Sequence, residues 1–106
     1  MKKTKYVVSY IFVENNEKVL LIRKKRPVFL IGKMTGIGGH VEDFDESHTH
    51  AIQREVEEES NICLSLDQIY LIDSVSGDDY TLDVYAIVIN DDQFDNFKNN
   101  IVAEQT

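Results

Sequence analysis

The sequence predicts an α+β domain, layered α/β/α, in which a mixed sheet carries one principal helix. Three observations lead there. Runs of β-branched and aromatic residues recur at strand length, at Tyr6 to Val13, Val19 to Ile22, Ile69 to Val75 and Leu82 to Ile89. A single longer segment, up to about Ser60, spaces its apolar residues Ala51, Ile52 and Val56 as one helical stripe. No repeat, low-complexity tract or linker interrupts the chain, so its 106 residues read as one domain spanning 1–106.

Taken in order, Tyr6 to Val13 is the first strand, and Asn15-Asn16 supplies a turn into a second strand, Val19 to Ile22. That strand ends in the basic run Arg23-Lys24-Lys25-Arg26. Pro27 breaks regularity, and residues 27–36 read as a loop, with Val28 to Ile31 apolar enough to pack. Ile37 to Val41 is short and rich in glycine. Either Ser47 or Asp45 can cap the principal helix, because both side chains accept from free amides at a helix start. Asn61 stands where a left-handed, helix-ending residue belongs. Two further strands flank the turn Gly77-Asp78-Asp79, and Asp91 is placed to cap a brief helix through about Asn99.

Formal net charge is −8, which disfavours generic binding to nucleic acid or to an anionic membrane. No segment approaches the roughly 20 apolar residues of a membrane span. The basic start Met-Lys-Lys-Thr-Lys mimics a secretory signal, but Ser9 and Glu14 break the apolar stretch and no small-residue cleavage site follows. A single cysteine, Cys63, excludes an internal disulfide and fits a reducing interior, so a cytoplasmic location is expected. Between Ile62 and Leu64 that thiol reads as buried and structural. A homodimer is compatible with the sequence.

The chemistry concentrates where Gly36-Ile37-Gly38-Gly39-His40-Val41-Glu42 precedes Arg54-Glu55-Val56-Glu57-Glu58-Glu59. On a helix Glu55, Glu58 and Glu59 share a face, and like charges at such spacings cost roughly 0.2–0.5 kcal/mol per pair. They also lie toward the negative end of the helix dipole. A divalent cation reverses the sign of each of these terms. His40, His48 and His50 lack a cysteine at ligand spacing, so they read as surface or supporting residues rather than zinc ligands.

The stretch Gly39 to Ile62 resembles the Nudix box, G-x(5)-E-x(7)-R-E-U-x-E-E-x-G-U with U aliphatic. Arg54 to Glu59 matches the core without a gap, and Glu46 stands eight residues before Arg54. Two departures occur. Six residues instead of five separate Gly39 from Glu46, placing the insertion in Asp43-Phe44-Asp45, and Asn61 replaces the near-terminal glycine. With Leu21 to Pro27 and Gly32-Lys33, the chain looks like the MutT-type nucleoside triphosphate pyrophosphohydrolase branch over residues 5–90. Members usually continue into a C-terminal helix on the sheet, which is expected to be missing or short here.

The resemblance implies a hydrolase that cleaves a nucleoside diphosphate linked to another group, by water attack at phosphorus, with Mg²⁺ or Mn²⁺ as cofactor and a small nucleotide as substrate. It implies Glu55, Glu58 and Glu59 as metal ligands, with a carbonyl of Gly38 or Gly39, and Glu55 as first choice for the base. Arg54 then orients carboxylates, and Glu46 is either a further ligand or the partner of Arg54. Arg23, Lys24 and Lys33 become candidates for holding phosphates. The alternative is a non-catalytic module of the same fold that binds a nucleotide or a protein.

Overall fold

A computed structural model describes residues 3–14, 18–20, 22–23 and 34–100, with backbone alone at 18–20, 22–23, 34–35 and 97–100. The Asn15-Asn16 turn and residues 27–33 of the expected loop lie outside the described residues.

Strand β1 (Thr4–Val13) organises the sheet. Its residues alternate, as half-buried strands must: Val7, Ser9, Ile11 and Val13 face inward and are buried, whereas Tyr6, Tyr10 and Phe12 are exposed on the other face. One edge of β1 pairs in parallel with β7 (Tyr80–Ile89) along its whole length, from Thr4 opposite Tyr80 to Val13 opposite Ile89. The other edge is divided. Its C-terminal part pairs antiparallel with β2 (Lys18–Leu20), and Tyr6 to Ser9 pair antiparallel with β5 (Ile37–His40). β6 (Ile69–Ser76) pairs antiparallel with β7 through the predicted turn. The sheet is therefore mixed, as expected.

The expected second strand is two. Lys18–Leu20 joins β1, whereas β3 (Ile22–Arg23) forms a separate ladder with β4 (Met34–Thr35), so the expected loop over 27–36 ends in a strand.

Helix α1 (His48–Ser60) lays Ala51, Ile52 and Val56 on the inner face of the sheet. There they pack with Val7, Ile11, Ile37, Ile87 and Ile89 in one core. Each such Val or Ile contributes about 1.5–3 kcal/mol of transfer free energy. The buried hydroxyls of Ser9 and Ser60 are satisfied: Ser9 donates to the Ile37 carbonyl at 2.8 Å and Ser60 to that of Val56 at 2.6 Å.

Of the two candidate caps, Ser47 begins α1, its Oγ accepting from the His50 amide at 3.1 Å. Asn61 ends the helix at φ 60° and ψ 23°, its amide bonded to the Glu57 carbonyl. Helix α2 (Asp91–Asn100) is the expected brief helix, ten residues long. Its cap is Asn90 rather than Asp91. Asn90 Oδ1 accepts from the Gln93 amide at 2.8 Å while Gln93 Oε1 accepts from the Asn90 amide at 3.0 Å, a reciprocal pair that satisfies two end groups at once. α2 is fastened to the segment after α1, because Gln93 donates to the Cys63 carbonyl and Asn96 to that of Asn61. Phe94 packs on the core.

Cys63 departs from expectation. Ile62 and Leu64 turn inward, so the extended chain turns Cys63 outward, where its thiol donates to Glu57 at 3.3 Å. The adjoining Glu57 carboxylate pushes the thiol pKa up. Among the described residues no helix is long and apolar enough to cross a membrane.

A left-handed conformation costs a residue with a Cβ about 1–2 kcal/mol. Asn61→Gly should therefore unfold in urea within about 0.5 kcal/mol of the parent, and Asn61→Ala about 1 kcal/mol earlier. Equal midpoints for the two would show that the helix end tolerates another backbone geometry.

Candidate active site

The glycines of β5 set the floor of the site. Gly39 lies opposite Val7 on the inner side of the sheet, beneath α1. A Cβ on Gly39 would stand 2.5 Å from Glu55 Oε2, and one on Gly38 would run into the Val7 carbonyl. Only a residue without a side chain lets strand and carboxylate come this close.

Arg54 ties the site together. Its Nε and Nη2 donate to the two oxygens of Asp45, each at 2.9 Å, as a two-pronged fork. Nη2 also donates to the His40 carbonyl at 3.1 Å. Nη1 donates to Glu55 Oε2 at 3.1 Å and Glu58 Oε1 at 3.2 Å. A guanidinium has five N–H donors, and these five bonds account for all of them. Its face carries the Phe44 ring, with Cζ 5.2 Å from the ring centroid.

The electrostatics follow from this hub. The hydrogen bond from Arg54 holds the Asp45 carboxyl below its ordinary range, and the Asp45 side chain is 4% exposed. The same bond pushes the Arg54 pKa up. Glu55 moves the other way. Burial is the largest influence on it and disfavours its charge, Arg54 favours the charge, and on balance the pKa rises. Glu59 stands in hydrogen-bond contact with Glu55, and Glu58 is open to solvent. The chain itself thus offsets part of the repulsion that the carboxylate spacing predicts.

The structure brings Glu55, Glu58, Glu59, Arg54, Gly38 and Gly39 together. It does not bring Glu46, whose side chain is 83% exposed and 3.7 Å from His50 Nε2. Asp45 is the partner of Arg54. A tight turn pins it there, with the Asp45 amide on the Glu42 carbonyl and the Glu42 amide on Asp45 Oδ2. The extra residue of the box therefore falls after the acid. Five residues separate Gly39 from Asp45, the family spacing, so counting forward from the glycine finds the right acid where counting back from Arg54 does not.

The side chain of Arg23, and Lys24 and Lys33 altogether, lie outside the described residues. The histidine rings have partners other than Glu55, Glu58 and Glu59. His48 bonds Asp83 at 2.9 Å, His50 bonds Ser47 at 2.8 Å, and His40 stacks on Tyr6 with ring centroids 4.7 Å apart. Among the described residues no three His, Cys, Asp or Glu side chains already form a metal-ligand set. Beyond Asp45 a groove of about 260 Å³ opens between Lys5, Glu42, Glu46 and His48.

A model of the NUDIX domain family matches residues 3–98. Among solved structures, a MutT/nudix family protein from Enterococcus faecalis is 27% identical with a TM-score of 0.74, over 86% of this chain and 38% of that one. The NUDIX domain of Shewanella oneidensis NrtR, complexed with ADP ribose, is 18% identical with a TM-score of 0.71, over 85% of this chain and 62% of that one. A NUDIX family hydrolase from Clostridium perfringens is 22% identical with a TM-score of 0.61, over 85% and 70%. The latter two likenesses show the fold alone. This chain spans less than two thirds of the length of the first two. No curated protein matches it. Because the family match runs from the start of β1 into α2, taking in the glycine strand and the whole of α1, the chain belongs to the NUDIX domain family.

Proposed function

We propose that this chain hydrolyses the pyrophosphate linkage of a nucleoside diphosphate joined to another group, a nucleoside triphosphate before others, by water attack at phosphorus. The observation that carries this is the partly buried Glu55, set against a side-chain-free Gly39 and flanked by Glu58 and Glu59. The family in general uses divalent metal ions, and the donors here fit one. They are hard carboxylate oxygens beside a glycine strand that leaves room for close approach. Glu55, Glu58, Glu59 and the Gly39 carbonyl would hold Mg²⁺ or Mn²⁺. Such an ion lowers the pKa of its water and neutralises charge developing at phosphorus.

The chain's own residues do the rest. Glu55 accepts the proton of the attacking water at Oε1, the oxygen not bonded to Arg54. Burial raises its affinity for a proton and makes it the better base. Arg54 has no N–H left for a phosphate, so it orients Glu55 and Glu58 instead. Phosphates are assigned to Arg23, Lys24 and Lys33, the densest positive charge in a sequence of net charge −8. A cytoplasmic setting fits the single cysteine.

Binding without turnover is the second reading. It is favoured by carboxylates that, among the described residues, do not already converge as a metal-ligand set, and by the ADP-ribose complex of the NrtR domain. One screen separates the two: nucleoside triphosphates, nucleotide sugars, dinucleoside polyphosphates and capped RNA with Mg²⁺ or Mn²⁺, read by the phosphates released. Saturable binding with no release would leave a binding module.

Millimolar Mn²⁺ should raise the melting temperature, and Glu58→Gln should remove most of that rise; no stabilisation of the parent chain sinks the ligand assignment. Glu55→Gln should lower kcat by about 10²–10⁴-fold with an unchanged circular dichroism spectrum. Activity kept within tenfold would place the base elsewhere. Asp45 has a depressed folded pKa, so it contributes stability above its unfolded value of about 3.9, and that contribution is lost as pH falls through the lower folded value. Asp45→Asn should therefore be less stable at neutral pH and flatter in its acid unfolding curve. Superimposable curves would show that Arg54 is held without Asp45.

A further inference from the structure

We infer, on the metal-ligand reading above, that Phe44 is a positioning residue for the carboxylates of Glu55 and Glu58, acting through Arg54. Phe44 is 73% exposed, so it is not there to fill the core. Its ring lies over the Arg54 guanidinium, with 5.2 Å from Cζ to the centroid. The five N–H groups of Arg54 point outward in the guanidinium plane, so their hydrogen bonds hold its edges and leave its faces to other contacts. A guanidinium is weakly hydrated on its faces and favours an aromatic surface there. Phe44 supplies that surface and opposes tilting out of the plane.

The turn that aims Asp45 also places Phe44. The Asp45 amide reaches back to the Glu42 carbonyl at 3.0 Å, and the Glu42 amide meets Asp45 Oδ2 at 2.8 Å. Adjacent residues thereby grip Arg54 from two directions, one through its edge and one through its face. The two grips respond differently to an ion. A cation held by Glu55 and Glu58 would compete with Nη1 for their negative charge. The ring contact uses no carboxylate lone pair, so it keeps Arg54 in place under the loaded site.

The test compares F44L, F44W and the parent in three measurements. The first is exchange of the Arg54 Nε–H with solvent by NMR, the second Mn²⁺ affinity by calorimetry without substrate, and the third the metal-free melting temperature. F44L should speed Nε–H exchange and weaken Mn²⁺ binding by up to about fivefold, the ceiling set by loss of one exposed cation–π contact. F44W should restore both. The contact is present in the metal-free chain as well, so its loss alone should lower the melting temperature by no more than about two to five degrees. Unchanged exchange in F44L overturns the role of Phe44, as does failure of F44W to restore it. A fall of more than about five degrees in F44L overturns it too, since Phe44 would then serve folding. A parent chain that binds no Mn²⁺ overturns the metal-ligand reading instead, and the exchange rates still decide whether Phe44 holds Arg54.

Discussion

The guanidinium of Arg54 is the point on which this site depends. Three like charges near one helix end repel one another, and the helix dipole adds to the cost. The side chain of residue 54 reaches across the first turns of α1 to meet Asp45 and His40, and it holds Glu55 and Glu58 on its remaining edge. A lysine could not do this, because a compact ammonium has neither the planar fork that fits Asp45 nor five donors. The carboxylates are thus held in place by the chain itself, in an arrangement that a cation can enter.

What brings these groups together is the division of labour along β1. Its inner face builds the core under α1, and its edges are shared among β7, β2 and β5. The parallel pairing of β1 with β7 obliges the chain to cross over, and α1 lies within that crossover. β5 enters beside the N-terminal half of β1 with glycines at the two positions where a Cβ would meet either the Val7 carbonyl or the Glu55 carboxylate. Glycine there is a packing requirement. The closeness it permits is also what partly buries Glu55 and raises its pKa.

The site was only partly legible in the sequence. Spacing along one helix is local geometry, so Glu55, Glu58 and Glu59 could be placed on one face without any fold. The same holds for Asn61, whose left-handed φ of 60° follows from its position at the helix end, whereas the choice of Ser47 over Asp45 as cap came from the structure. The partner of Arg54 was not legible, because it depends on a turn. Asp45 and Glu46 are adjacent acids, and the bonds between Glu42 and Asp45 decide which reaches inward. Phe44 gave no signal beyond being an aromatic in a polar loop, and the His40 carbonyl gave none at all.

By itself the sequence determined the α+β class, the principal helix with its ends, and the carboxylate face, because each rests on periodicity and capping within about 14 consecutive residues. Tertiary structure decided whatever depends on segments far apart in sequence. It sent Cys63 outward between two buried neighbours. It split the second strand between two ladders. It also gave Arg54 to Asp45 and left Glu46 in solvent. The physical reason is the same in each case. Side-chain direction at a turn or strand end is set by which hydrogen bonds and which burial the rest of the fold makes available, and no local pattern encodes that choice.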